Sequence, residues 1–145
     1  MCVFQCRTQD VLFLMAPPPL PEDIRRFVLT SIPSVPHLEA LLLLRSGQEH
    51  FWSDSQLAGR LYIGDKVAHA LMAELCRSGM TEVRENDDRT FSYRYQPSSP
   101  ALRLTIDTLA ELYSRQLVEV THLIHSKLDR KAQQFADAFK WRKDS

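Results

Sequence analysis

The chain has 145 residues, 44% of them hydrophobic and 25% charged, the composition of an ordinary folded domain with a real core, which excludes pervasive disorder and fibrous repeats. Lysine plus arginine and aspartate plus glutamate both number 18, so no global field draws the molecule to nucleic acid, an anionic membrane or an acidic ligand, and any such binding must come from a local patch. Three cysteines, Cys2, Cys6 and Cys76, form no CxxC or Cys/His ladder and leave one unpaired, which points to a reducing compartment. The apolar run from Val11 to Ala16 is too short to span a bilayer, and the expectation is a cytoplasmic protein without membrane contact.

Residues 1–19 are expected to be a flexible N-terminal segment ending in a proline-rich linker, Pro17 to Pro21, whose fixed φ angles favour extended chain. Met15 stands just before that linker. Residues 1–14 therefore read either as a translated upstream stretch or as a docking segment, and no function rests on them. From Pro21, the acidic pair Glu22 and Asp23 and the apolar face Ile24, Phe27 and Val28 predict an amphipathic helix up to Pro33. Ser34 can cap a second helix, His37 to Arg45, ended by Gly47. Its four leucines, Leu41 to Leu44, make it apolar around most of its circumference and place it in the centre of the core.

Phe51 and Trp52 read as a short extended piece. Ser53 with Gln56 three residues on is a capping-box pattern that opens a helix through Tyr62, with Leu57, Ala58 and Leu61 facing inward. After a tight connection at Ile63, Gly64 and Asp65, apolar residues recur at Val67, Ala68, Leu71, Met72 and Leu75, and Gly79 closes that helix. Met80 to Glu85 and Thr90 to Gln96 then read as two strands around Asn86, Asp87 and Asp88, with Phe91, Tyr93 and Tyr95 alternating to give one aromatic face.

Three helices followed by a two-stranded hairpin is the order of a winged helix-turn-helix, in which the second helix of the turn reads the major groove and the hairpin flanks it. The run from Leu57 to Val83, LAGRLYIGDKVAHALMAELCRSGMTEV, resembles the helix-turn-helix core of bacterial winged-helix regulators of the MarR-like kind, over roughly residues 35–96. What the resemblance implies is fold first and DNA binding second. The chain departs from the common pattern in two places: Tyr62 stands where such regulators commonly place a glycine, and the recognition helix offers only Lys66 and His69 for base readout. Between Ser53 and Gln96 six cations face seven anions, so the module is locally about neutral, which weakens the phosphate-neutralising part of any nucleic-acid affinity.

Beyond the spacer from Pro97 to Pro100, Leu102, Ile106, Leu109, Leu112, Tyr113, Leu117, Val120 and Ile124 follow three- and four-residue spacing and predict one long helix whose stripe needs a partner. Ser126 followed by Asp129 suggests a cap for a separate last helix with the stripe Leu128, Ala132, Phe135 and Phe139, expected to pack on the winged helix. The tail also combines Trp141 with Lys140, Arg142 and Lys143. The segments VTHLIHSK and FADAF are similar to tails of bacterial winged-helix proteins, a similarity that implies no activity.

The sharper chemical readings lose to plainer ones. His122, His125 and Asp129 have a spacing compatible with a divalent metal, but nothing is placed to complete a first shell, so no metal site is expected. Ser126 beside His125 makes no nucleophile and base, and four glycines stand in no phosphate-cradling frame, so neither catalysis nor a cofactor is expected. Cys76 reads as a small core hydrophobe rather than a redox sensor.

The expected fold is mainly α with a small β-hairpin (α+β): a winged helix-turn-helix domain over residues 20–96 with a C-terminal helical extension over 100–145. The expected function is a bacterial DNA-binding transcription regulator. Lys66 and His69 would meet the major groove of double-stranded DNA, and Arg60, Arg84, Arg89 and Arg94 complete the basic site. A homodimer is expected through Ile106, Leu109, Tyr113, Leu117, Val120 and Ile124, with fold-back of the extension as the competing use. The alternative function is a non-enzymatic adaptor that holds a protein partner through the same fold.

Overall fold

The computed structural model describes residues 19–143, with side chains through Ala138. The N-terminal segment with Cys2 and Cys6, and the side chains of Phe139, Lys140, Trp141, Arg142 and Lys143, lie outside the described residues. Among those described, no single helix is long and apolar enough to cross a membrane.

The order of elements is α1 (Glu22–Ser31), α2 (Val35–Ser46), β1 (Trp52–Ser53), α3 (Asp54–Leu61), α4 (Asp65–Arg77), β2 (Thr81–Glu85), β3 (Phe91–Tyr95), α5 (Pro100–Arg115) and α6 (Leu117–Lys143). This is an α+β winged helix with C-terminal helices. The caps expected at Ser34 and Ser53 form, and the one expected at Ser126 does not. Ser34 caps α2, accepting from the His37 amide at 3.5 Å, with a proline in the first turn where a missing amide proton costs nothing. Ser99 caps α5 in the same way, accepting from Leu102 at 3.1 Å.

The sheet is larger than a hairpin: β1 adds to β3, giving the antiparallel order β1-β3-β2 with Trp52 opposite Tyr93 and Ser53 opposite Ser92. The alternating aromatics therefore divide. Tyr93 and Tyr95 enter the core, whereas Phe91, at the turn end of the strand, stays 43% exposed. Between α4 and the sheet, Gly79 holds φ +74, and a Cβ there would stand 2.8 Å from Ser98 Oγ, so both the backbone and the close approach require glycine.

One core joins all these parts. Leu38, Ala40, Leu41 and Leu44 of α2 are fully buried and pack in one cluster with Ile24 and Val28 of α1, Leu57 of α3, Met72 of α4, Tyr93 and Tyr95 of β3, and Ile106 and Leu109 of α5. The long stripe of the C-terminal region lies in that same cluster, but not as one helix. The chain leaves helical geometry at Gln116 (φ -126, ψ 51) and α6 turns back to pack against α1 and α5. α6 then runs unbroken through Ser126, so the break falls earlier than Ser126 and Asp129 suggested.

Two corrections follow. Ile106, Leu109, Val120 and Ile124 are 0% exposed within the single chain, so these four cannot be the open face of a partner interface. Of the remaining two, Tyr113 is half-buried and donates to Glu39 Oε1 of α2 at 2.5 Å, and Leu117 is 52% exposed. Burial and then the Glu39 carboxylate push the Tyr113 phenol up to about 12, keeping it a donor at any ordinary pH. A second polar tie, Arg45 Nε donating to Asp107 Oδ1 at 2.9 Å, joins α2 to α5 at another point. The other correction concerns the last stripe: Leu128, Ala132 and Phe135 are exposed, with Phe135 at 71%.

Truncation separates the two halves of α6. Ile124→Ala is expected to cost about 2 to 5 kcal/mol, as for any large aliphatic removed from a closed core, and Phe135→Ala less than about 1 kcal/mol. Equal losses in chemical denaturation would contradict this placement.

Candidate nucleic-acid interface

The helix-turn-helix is α3, its turn and α4. The capping box that starts α3 closes on both sides: Gln56 N donates to Ser53 Oγ and Ser53 N donates to Gln56 Oε1, each at 3.1 Å. Leu57 and Ala58 bury the inner face of α3, and Leu61 is half-buried at its end. α3 ends at Tyr62 in the left-handed region, φ 55 and ψ 44, a conformation that glycine adopts more easily. The tyrosine ring is 95% exposed and gains no burial for that conformation.

α4 packs through Ala68, Leu71, Met72 and Leu75. Val67, expected on that face, is instead 50% exposed, because at 100° per residue it falls at the edge of the buried arc. Cys76 is half-buried beside the cluster, a free thiol. The opposite face carries Lys66 and Ala70, both exposed, with His69 on its flank and Arg77 at its end. Lys66 has no ion pair among the described residues. Glu74, one turn before the end of α4, accepts from His37 Nε2 and so ties α4 to the start of α2. His69 donates from Nδ1 to Asp54 Oδ2 at 2.8 Å, linking the middle of α4 to the first residue of α3.

The wing places its cations unevenly. Arg89 sits at the tip with φ 66, a left-handed position that glycine or asparagine ordinarily fills, and its side chain is exposed without an ion pair among the described residues. Neighbouring Asp88 is used in the turn. Its Oδ1 accepts from Thr90 Oγ1 at 2.5 Å and from Thr90 N at 3.1 Å, and these bonds, the hydroxyl's foremost, hold its carboxyl below the usual carboxylate range. Asn86 completes the turn, donating to Thr90 Oγ1 and Ser92 Oγ.

Further down the hairpin, Arg84 and Arg94 share one face of the sheet and both stack on Phe51, with guanidinium carbons 3.9 and 4.6 Å from the ring centroid. Arg94 is also paired with Glu82, its cross-strand neighbour, so its charge is already matched. Arg60 lies over Trp52 at 5.7 Å. Of the six cations and imidazoles expected to bind DNA, Lys66 and Arg89 are thus unpaired, Arg60 and Arg84 rest on aromatic rings, and His69 and Arg94 each hold a carboxylate. The sequence reading missed Phe51 as a platform and Asp54 as the partner of His69. For Asp54 the available signal was an acidic residue directly after a capping serine.

The described residues contain no group of three metal-ligating side chains, and His122 and His125 are exposed on α6. They line a shallow groove of about 320 Å³ with Leu117, Val118 and Thr121. Val118 is 74% exposed and Leu104, on α5, 67%.

No family model matches the chain, and no curated protein matches it significantly in sequence. Its fold does match solved structures. A crystal structure of MepR, a transcription regulator of the Staphylococcus aureus multidrug efflux pump MepA, superposes with a TM-score of 0.50 at 14% identity, covering 85% of this chain and 87% of that one. A MepR mutant from S. aureus bound to an oligodeoxyribonucleotide gives 0.50 at 13% identity, over 99% of this chain and 97% of the other. A MarR-family transcriptional regulator from Silicibacter pomeroyi gives 0.45 at 16%, over 83% and 75%. The two MepR structures share the fold of this chain, with the helical extension included in the match.

The exposed left-handed tyrosine gives a direct check on the turn. Tyr62→Gly removes about 1 to 2 kcal/mol of side-chain strain and adds back about 0.5 to 1 kcal/mol of chain entropy. The expected result is a rise of up to about 1 kcal/mol in stability, roughly 3 °C in Tm. A fall in Tm would mean that the tyrosine makes a stabilising contact.

Proposed function

We propose that the chain is a bacterial, cytoplasmic transcription regulator that binds duplex DNA as a homodimer. α4 enters the major groove with Lys66 and His69 at base edges, and the wing sets Arg89 against a phosphate with Arg84 behind it. Arg60 and Arg94, both held on aromatic rings, flank the contact, and the charge of Arg94 is already matched by Glu82. The observation that carries this reading is the uncovered outer face of α4, which offers a lysine, a histidine and a small alanine, while every large apolar residue but Val67 faces inward. Arg89 supports it: a cation is kept at a backbone position where glycine is easier, and such strain concentrates at functional sites. For the dimer, the support is apolar surface exposed in place of the buried stripe: Leu104 in the second turn of α5, and Leu117 and Val118 at the start of α6.

The second reading, a non-enzymatic adaptor, is favoured by the same apolar set together with the exposed end of α6 and the neutral charge of the helix-turn-helix module. DNA binding is preferred because an adaptor gives no reason for the unpaired Lys66 and the strained Arg89.

Arg89→Gly separates function from stability, since it removes charge and strain together. Fluorescence anisotropy on a labelled duplex should show weaker binding to every sequence and a salt slope shallower by about 1, with Tm unchanged or raised. Light scattering of the wild-type complex should count two chains per duplex. Wild-type affinity and slope in Arg89→Gly would remove the wing from the site.

A further inference from the structure

The bond between Asp54 and His69 fixes more than a position. Asp54 is the first residue of α3, where the helix terminus favours a negative charge, and its side chain is 27% exposed. Oδ2 takes the bond from His69, while Oδ1 is buried with no partner among the described residues. Its field reaches the core: the Tyr93 phenol is pushed up first by burial and then by Asp54. A carboxylate has no proton to give, so the bond requires the proton on Nδ1 of the imidazole. In the neutral ring, Nε2 then carries a lone pair. Nε2 has no partner among the described residues, and the His69 side chain is 58% exposed on the flank of the groove-facing surface of α4.

We propose that Asp54 is a positioning residue that sets the tautomer of His69, so that α4 presents a hydrogen-bond acceptor to the major groove and reads the exocyclic amino group of adenine or cytosine. The inference rests on the reading of α4 as the groove helix. It follows from the donor and acceptor pattern of the groove, where only adenine N6 and cytosine N4 donate, whereas guanine and thymine present acceptors at the equivalent edge. A protonated Nε2 would select the opposite pair. Asp54 thus acts on base choice without touching DNA, and its side chain lies on a different helix from the one that reads.

Two measurements on the full chain test this. Nitrogen-15 imidazole spectra of the wild type should show His69 with Nδ1 protonated and Nε2 bare, and Asp54→Ala should move the proton to Nε2. Selection from a randomised duplex pool should give the wild type an adenine or cytosine preference at one position. Both Asp54→Ala and His69→Ala should lose about fivefold or more of that discrimination, the size of one net hydrogen bond. A protonated Nε2 in the wild-type ring overturns the inference, as does unchanged base preference in an Asp54→Ala protein that still binds duplex. Failure of the wild type to bind any duplex overturns the DNA reading and this inference with it.

Discussion

Burial of Leu38, Ala40, Leu41 and Leu44 on one side of α2 is the constraint on which the rest of this structure depends. A helix with leucines around most of its circumference cannot lie on an open surface, so neighbours close over most of it and leave Leu42 and Leu43 half-buried. α1, α3, α4, β3 and α5 do so, and each has a narrower apolar face spent on that contact. The C-terminal helices are therefore part of the same core as the helix-turn-helix, and Arg45 with Asp107 and Glu39 with Tyr113 fix α5 to α2 at two points. Covering α2 also leaves the outer faces of α4 and α5 pointing away from the core, which is what gives the molecule its two open surfaces.

The functional face inherits its geometry from this arrangement. α4 is held by four buried side chains on one side, by Glu74 and His37 at one end and by Asp54 and His69 in the middle, so Lys66 and His69 are carried on a helix with little freedom to roll. Among the described residues, the non-glycine positions with a left-handed backbone are Tyr62, just before α4, and Arg89, at the tip of the wing. Phe51 holds Arg84 and Arg94 against the sheet, which reduces their reach but fixes where their charge lies. The helix-turn-helix module is about neutral over residues 53–96, and an interface built this way depends more on placement than on net charge.

Much of the fold was legible because its boundaries are chemical. Ser34, the Ser53 and Gln56 pair, and Gly79 mark helix ends by hydrogen bonds or backbone geometry that local sequence determines. The break at Gln116 was not legible. No proline or glycine stands there, the three- and four-residue spacing runs through it, and the helix ends because both apolar stripes are covered only if the chain turns back. For the same reason the spacing that suggested an open interface at Ile106, Leu109, Val120 and Ile124 described a covered one. β1 has two residues and no period to detect, so its pairing with β3 could come only from the fold. Within the candidate site, Lys66 and Arg89 follow from helix phase and turn position. The link between Asp54 and His69 spans 15 residues and two helices, a separation that no local pattern encodes.

Whether α4 and the wing meet duplex DNA is tested most directly by backbone amide chemical shifts of the wild-type protein during titration with a duplex bearing its selected sequence. The expected result is a saturable set of shifts at Lys66, His69, Ala70 and Arg89, with α1 and the buried face of α5 unmoved. Shifts confined to α5 and α6 around Leu104, Leu117 and Val118, or no shifts at all at saturating duplex, would contradict DNA recognition by this face.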